Sequence, residues 1–508
     1  MVPAFVLLWR TSGGVAACSS SSAFAWILCS LRQRRSTLTK SFGAITRRGD
    51  LAGALKNEDR EAGANPLRDL ISHPPRGGGN GWGWLFMFLG PDDVDMALGS
   101  EVYEKIAVLP PYQEADEIMI HYTVTQECPF NCRGCINALT AGKGNSGRSG
   151  FSPGAQKSPD IERDLLGIGR LIKESGKKTA VVVYYGGEPM LRMDTMNHFY
   201  ANLQRIVGDS IPVKHMVITS GHFLERAIRK TPQLISGMWL TALSIDGNEE
   251  QHDAMRRGTS LREIRRQVDA LNRVREGDVL IWATLRPGMS LWDCFESFMY
   301  FQECGQAEHF FWHSDEGDGM IHDLSGYLES YRRDLERIMG VYIEHLRQGK
   351  LLSLIHVNDL LLYLFTKKRR GTTACAVERM ENFDIIGDGK VHACADLPEA
   401  MSIGRISDGG EIVFEADAKE RVAKIVSYKT DLGCSDCGVE PYCGGRCPVQ
   451  ANTGGIGRAR QYCFMMREYV KTVKQQTSHI VELMVEKGMS LQDLYRSAHL
   501  TKFADVTP

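Results

Sequence analysis

The 508-residue chain lacks an excess of charge of either sign: 60 Lys and Arg stand against 62 Asp and Glu, a formal net charge of −2. Without a basic field to grip a polyanion, composition gives no reason to expect nucleic-acid binding. It also lacks an apolar run of membrane-spanning length. Residues 14–31 come nearest, and a run of serines breaks them, so no membrane partner is expected. No internal repeat organises the chain. Asp and Glu are missing from the first 49 residues, which carry seven Lys/Arg, a composition shared with organelle transit peptides. No A-x-A-like site follows, however, and residues 75–90 (PRGGGNGWGWLFMFLG) are Gly-rich and aperiodic. Residues 1–95 therefore read as a poorly ordered or spurious extension.

What is present in quantity is informative. Hydrophobic residues make up 43% of the chain, enough for ordinary packed cores in two or three domains. Ten of the fourteen cysteines fall into two groups, Cys128 to Cys135 and Cys375 to Cys463. Such clustering without a secretory signal favours metal ligation in a reducing, cytoplasmic setting over a disulfide framework. From residue 116, apolar runs of strand length alternate with helical periodicity, the pattern of βα units and a parallel sheet. Strands are predicted at 116–124, 180–185, 213–218, 238–245, 279–285 and 308–313, and helices at 161–175, 194–207, 260–275 and 290–304. The fold class is α/β, a partial (β/α)6 TIM-like barrel. Residues 138–160 form a Gly/Ser/Pro-rich insertion read as a loop. Helices between 325 and 368 end in the basic run Lys367 to Arg370, read as a solvated helix end in preference to a substrate-binding patch.

Cys128-x3-Cys132-x2-Cys135 follows the first predicted strand, at the barrel end where chemistry is placed. Three thiolates can hold three irons of a cubane cluster and leave the fourth open. Further motifs end later strands: Gly186-Gly187-Glu188-Pro189, then Thr219-Ser220-Gly221, then Ser244 in SIDG with Arg256 twelve residues on. In this order the sequence resembles the radical S-adenosylmethionine (radical SAM) superfamily. The resemblance implies a [4Fe-4S] cluster on Cys128, Cys132 and Cys135 that chelates S-adenosylmethionine and cleaves it reductively to a 5′-deoxyadenosyl radical. It implies that Gly186, Gly187, Glu188 and Pro189 approach the methionyl amino group. Thr219 and Ser220 would form the ribose turn, and Ser244 with Arg256 would hold the carboxylate. Most relatives have an aromatic residue just before the third cysteine, where this chain has Gly134. Adenine packing is then expected from Phe130 or Tyr185.

The second group runs Cys375-x13-Gly389-x4-Cys394, Cys434-x2-Cys437-x5-Cys443-x3-Cys447 and Cys463. Paired C-x2-C motifs also make zinc sites, but seven cysteines cannot fill two closed all-cysteine zinc sites. The spacing resembles the SPASM extension of peptide-maturing radical SAM enzymes, a small C-terminal α+β iron-sulfur domain. The resemblance implies one auxiliary cluster enclosed by Cys434, Cys437, Cys443 and Cys463. Another would lie on Cys375, Cys394 and Cys447, its last iron open, bound by a group such as Asp396, or available to substrate. The expected domains are a barrel at 96–320, a helical bridge at 321–370, the auxiliary-cluster domain at 371–475 and a helical tail at 476–508.

The resembled sulfatase maturases carry an aspartate directly after the second cysteine of this module, where this chain has Ala395 and then Asp396. That departure shifts the expectation towards an enzyme that crosslinks, oxidises or epimerises a ribosomally made peptide or protein. Expected partners are a precursor, a separate leader-recognition protein and a flavodoxin or ferredoxin donor. Two alternatives stay open: action on a tetrapyrrole or quinone-type cofactor precursor, and a non-catalytic iron-sulfur or zinc protein.

Overall fold

Because strands of a parallel sheet covered on both sides are buried on both faces, they read as continuous apolar runs. The computed structural model shows that behaviour throughout its barrel. It describes residues 94–137, 160–315, 320–379, 382–386, 388–394, 396–397 and 399–504. The expectations for residues 1–93, for the 138–159 insertion and for Ala395 lie outside the described residues.

Thirteen strands are numbered in chain order: β1 (Glu117–Thr125), β2 (Asn131–Cys132), β3 (Thr179–Gly186), β4 (Val213–Thr219), β5 (Leu240–Ser244), β6 (Arg256–Arg257), β7 (Asp278–Leu285), β8 (His309–Ser314), β9 (Ser353–Leu354), β10 (Asn382–Ile386), β11 (Lys390–His392), β12 (Gly404–Ile406) and β13 (Ile412–Phe414). The six predicted strands are β1, β3, β4, β5, β7 and β8, which pair in parallel in that order. The predicted helices also form, as Ile161–Glu174, Met193–Val207, Leu261–Asn272 and Leu291–Glu303. Local chemistry sets their starts. Asp160 accepts from the Arg163 amide and Ser290 from the Asp293 amide, each satisfying a helix N–H that has no partner within the helix.

Residues alternate between the two faces. On β1, Ile118, Ile120 and Tyr122 join the outer core under the helices, while Met119 points inward to meet Val181, Met216, Leu240, Leu280 and Phe311 of the neighbouring strands. The barrel is open: β8 is flanked by the short β9, and β1 takes β10 as its other neighbour. β10 is parallel to β1, with Asp384 beside His121. The antiparallel β11, β12 and β13 continue outward from it, so the strands of the C-terminal cysteine region extend the barrel's own sheet.

The floor of the barrel, at the N-terminal ends of the strands, is filled by the tail. Leu500 and Phe503 belong to the same inner cluster as Met119 and Leu240, and Phe503 meets the ring of Trp239, just before β5, at 5.2 Å. The 31-residue helix Ile456–Glu486, which carries Cys463, packs along the helices Leu324–Arg347 and Ile355–Thr366. No helix among the described residues is long and apolar enough to cross a membrane.

Candidate active site

The thiol loop is shaped by what it must pass. After β1 the chain turns back against Gly186 and Gly187, whose amides and those of their neighbours bind it: Gly187 N–H donates to Thr125 O (2.8 Å) and Glu188 N–H to Glu127 O (2.9 Å). A Cβ on Gly187 would lie 2.3 Å from Glu127 O, so only glycine permits the approach that brings Cys128 to the barrel mouth. Cys132 then sits in β2, which pairs with β6 so that Cys132 is directly opposite Arg256. A thiol and a guanidinium 124 positions apart in sequence are thereby held in one small ladder.

Glu188 is 1% exposed and accepts four hydrogen bonds: from Met190 N–H (3.1 Å), Thr219 Oγ1 (2.7 Å), Ser220 N–H (2.9 Å) and Ser220 Oγ (2.6 Å). Its carboxylate locks the turn after β3 to the turn after β4. The Arg256 guanidinium pairs with Asp246 (2.8 Å from Nε to Oδ2), and Arg286 reaches the same carboxylate at 2.6 Å. Burial pushes the Asp246 carboxyl up, but the two guanidiniums outweigh it and hold the group well below the usual carboxylate range. Arg286 Nε also donates to Arg133 O in the thiol loop (2.5 Å), and Thr284 Oγ1 lies 3.0 Å from His313 Nε2.

One cavity of about 180 Å³ collects these groups. Its lining includes Cys128, Phe130, Cys132 and Cys135 from the thiol loop, and Tyr185, Gly186, Gly187, Glu188, Thr219, Ser220, Ser244 and Arg256 from the strand ends. Pro189 does not line it; it opens the short helix beneath. Phe130 packs edge-on to His222 at 5.5 Å, and the Tyr185 hydroxyl donates to Asp396 (2.9 Å). The lining also takes in Cys375, Cys394 and Cys447. Cys434, Cys437, Cys443 and Cys463 do not line the cavity, so the seven C-terminal thiols divide three and four in space.

Gly134 has φ +59°, and Asp315 Oδ2 lies 3.2 Å from where its Cβ would be. The space beside the third cysteine is therefore occupied by Asp315 and Arg286. Asp315 is 6% exposed and turned inward: Arg458 Nη2 (2.8 Å) and the Tyr462 hydroxyl (2.6 Å) donate to it. The basic run stays largely exposed through Lys367, Lys368 and Arg369, while each member has a partner in the chain. Lys367 lies over the Tyr103 ring, Lys368 pairs with Glu114, Arg369 with Glu440 and Arg370 with Asp359. Asp246, Thr284, Arg286, His313 and Trp282 were not singled out from the sequence. Asp246 and Arg286 each fall within two residues of a predicted strand end, which is the signal that would have found them.

The thiols suit a metal. Burial pushes the Cys128 thiol up to about 12, and Cys434 and Cys463 to about 12 as well, so bare thiolates are disfavoured at neutral pH unless a metal stabilises them. A hydrogen-bond donor faces one of the sulfurs: Arg467 Nη2 is 3.8 Å from Cys437 Sγ. Among the described residues, no three His, Cys, Asp or Glu side chains stand close enough to form a ready-made mononuclear ion site.

No family model matches the chain, and no curated protein does. Solved structures do. Polyhistidine-tagged anSMEcpe with bound AdoMet is 16% identical, aligned over 76% of this chain and 99% of that one, with a TM-score of 0.54. Native anSMEcpe with bound AdoMet and the Cp18Cys peptide gives 16% identity, 72% and 99% coverage and a TM-score of 0.53. Streptococcus suis SuiB bound to precursor peptide SuiA is more distant, with 13% identity, 84% and 86% coverage and a TM-score of 0.44. Over about three quarters of its length the chain therefore shares the fold of anSMEcpe, the open α/β barrel expected from the radical SAM resemblance.

Proposed function

We propose that the chain is a radical SAM enzyme that modifies a peptide or protein. The observation that carries this reading is the convergence of two thiol triads, Cys128/Cys132/Cys135 and Cys375/Cys394/Cys447, on one cavity edged by Ser244 and Arg256. A [4Fe-4S] cluster on the first triad, with S-adenosylmethionine bound, supplies reductive sulfonium cleavage and hydrogen abstraction from a substrate carbon.

The protein's own residues prepare that chemistry. Arg256 offers a forked donor for a carboxylate, and Asp246 keeps the guanidinium charged and aimed at the mouth. Glu188 keeps Ser220 and Thr219 in place beneath a ribose. Phe130 supplies an aromatic face for the adenine, and Tyr185 is held towards Asp396 on the far wall. On that wall Cys375, Cys394 and Cys447 give a second cluster three thiolates, which leaves one iron for Asp396 or for a substrate sulfur. Cys434, Cys437, Cys443 and Cys463 would enclose a third. Trp282 and His313 complete the cavity between the triads, where a substrate segment would lie.

A peptide substrate is supported by the shared fold with anSMEcpe, whose structure holds both AdoMet and a peptide. A flavodoxin or ferredoxin is the proposed electron donor, in the cytoplasm. The reconstituted, dithionite-reduced protein should release 5′-deoxyadenosine from S-adenosylmethionine. Release no greater than that of a Cys132→Ala variant would end this reading.

A further inference from the structure

The small ladder that carries Cys132 has two sides. Side chains alternate along a strand, so the pairs of β2 and β6 divide by face: Cys132 and Arg256 turn to the cavity, while Asn131 and Arg257 turn the other way. Arg133, the next residue of the loop, shares the parity of Asn131, and both Arg133 and Arg257 are exposed. Next to them Pro129 and Gly258 are exposed as well, and Phe130 is buried against them, 3.5 Å from where a Cβ on Gly258 would lie. The Phe130 ring lies 5.9 Å from that of Phe223, and the helix Leu224–Lys230 that follows carries the exposed Arg226.

The charge of these three guanidiniums is not cancelled. Among the described residues none of Arg133, Arg226 and Arg257 has an ion pair, whereas the neighbouring acids are engaged. Glu127 pairs with Arg192 (2.9 Å), Glu225 with Arg266 (2.6 Å) and Glu249 with Arg262 (3.3 Å), and Asp253 accepts from the Leu261 N–H (2.8 Å). That leaves Glu250, exposed on the helix Glu249–Met255, against three cations. A protein with a net charge of −2 thus keeps a local positive surplus on the outer side of its first thiol loop.

We infer that this face is the docking surface for the electron donor, a small acidic one-electron carrier protein of the flavodoxin type, which Arg133, Arg226 and Arg257 draw against the thiol loop. The inference rests on the proposed reading that Cys128, Cys132 and Cys135 hold a reducible iron-sulfur cluster. Two requirements meet on this face. The ladder brings Cys132 within one residue pair of an exposed surface, on the side away from the cavity where a substrate segment would lie. Local charge of one sign steers a partner of the other sign into register, whatever the net charge of the whole protein. The carrier is oxidised by one electron and the cluster reduced by one; no proton or atom changes place.

The test uses the full-length, reconstituted protein, reduced either by dithionite or by prereduced flavodoxin, with 5′-deoxyadenosine release as the readout. At limiting flavodoxin, release from the native protein should fall steeply as salt is raised, while dithionite-driven release changes little. Arg226→Glu combined with Arg257→Glu should lower flavodoxin-driven release about tenfold or more and leave dithionite-driven release in place. Arg496→Glu, on the helix Leu491–Ala498 of the C-terminal tail, should change neither. Flavodoxin-driven release that ignores both salt and the double reversal, or that falls equally in Arg496→Glu, overturns the inference. Should the double variant fail to assemble its cluster, Arg226→Glu alone, together with the salt dependence of the native protein, decides the matter by the same criterion. No release with either reductant would overturn the underlying reading too; release with dithionite alone would overturn this inference only.

Discussion

The two ends of the barrel are built from the same strands and do opposite work. At the floor, inward positions are Met119, Val181, Leu240 and Leu280, closed from below by Leu500 and Phe503. At the mouth, a few residues further along the barrel strands, they are Tyr185, Ser244, Thr284 and His313, surrounded by thiols and paired charges. The floor gains from burying apolar surface; the mouth keeps charged groups out of bulk water and must balance each one. Stability and chemistry are thus separated along the strand axis, as in closed barrels of this kind.

That separation can be broken from either side. The largest effect is expected from Phe503→Ala, which removes the floor's aromatic plug and should cost about 3–5 kcal/mol in denaturant unfolding. Release of 5′-deoxyadenosine per folded molecule should stay unchanged; a parallel loss would show that floor and mouth are coupled. Next is Asp246→Asn, which strands two buried guanidiniums at about 3 kcal/mol. Here both stability and S-adenosylmethionine affinity, read by calorimetry, should fall.

The same aspartate has a pH signature. Its folded pKa lies below the unfolded value near 4, so its stabilisation is complete at neutral pH and fades as the pH falls from about 5 towards the depressed value. The stability gap between the native protein and its Asp246→Asn variant should therefore shrink in acid, which unfolding curves at several pH values would show. Smaller still, Gly134→Ala should cost about 1–2 kcal/mol, from a side chain at positive φ pressed on Asp315. Installing an aromatic there should disturb the mouth instead of restoring adenine packing, measured as weaker S-adenosylmethionine binding.

The floor carries a pH signature of its own. Burial lowers the His499 pKa to about 4, so the folded state resists protonation and stability declines as the pH drops from about 6.5 to 4. His499→Gln should flatten that decline by up to about 3 kcal/mol. An unchanged slope would place the acid sensitivity at other buried histidines, such as His121, His215, His252 or His392.

Much of this was legible before the fold was known. β1, β3, β4, β5, β7 and β8 were readable because two-sided burial leaves unbroken apolar runs, and the motifs could be placed because each ends one of those runs. The joining of β10 to β1 was not readable: a five-residue strand whose Asn382 pairs with Met119, 263 positions earlier, leaves no periodic trace. The burial of Asp315 was not readable for a related reason. Its sequence neighbours are acidic and loop-like, while the partners that bury it, Arg458 and Tyr462, come from a helix more than 140 positions away. The two strand-end residues Asp246 and Arg286 were visible but unremarkable until their shared ion pair brought them together.

The ladder between β2 and β6 has a mechanical implication. Since Cys132 and Arg256 are tied across two residue pairs, and Arg133 N–H donates to Met255 O just outside them, the proposed iron ligand and the proposed carboxylate clamp travel as one body. Loading either end should therefore quiet the other. Amide exchange across residues 131–133 and 255–257 would slow together, whether the first occupant to arrive is the metal or the amino acid end of the sulfonium.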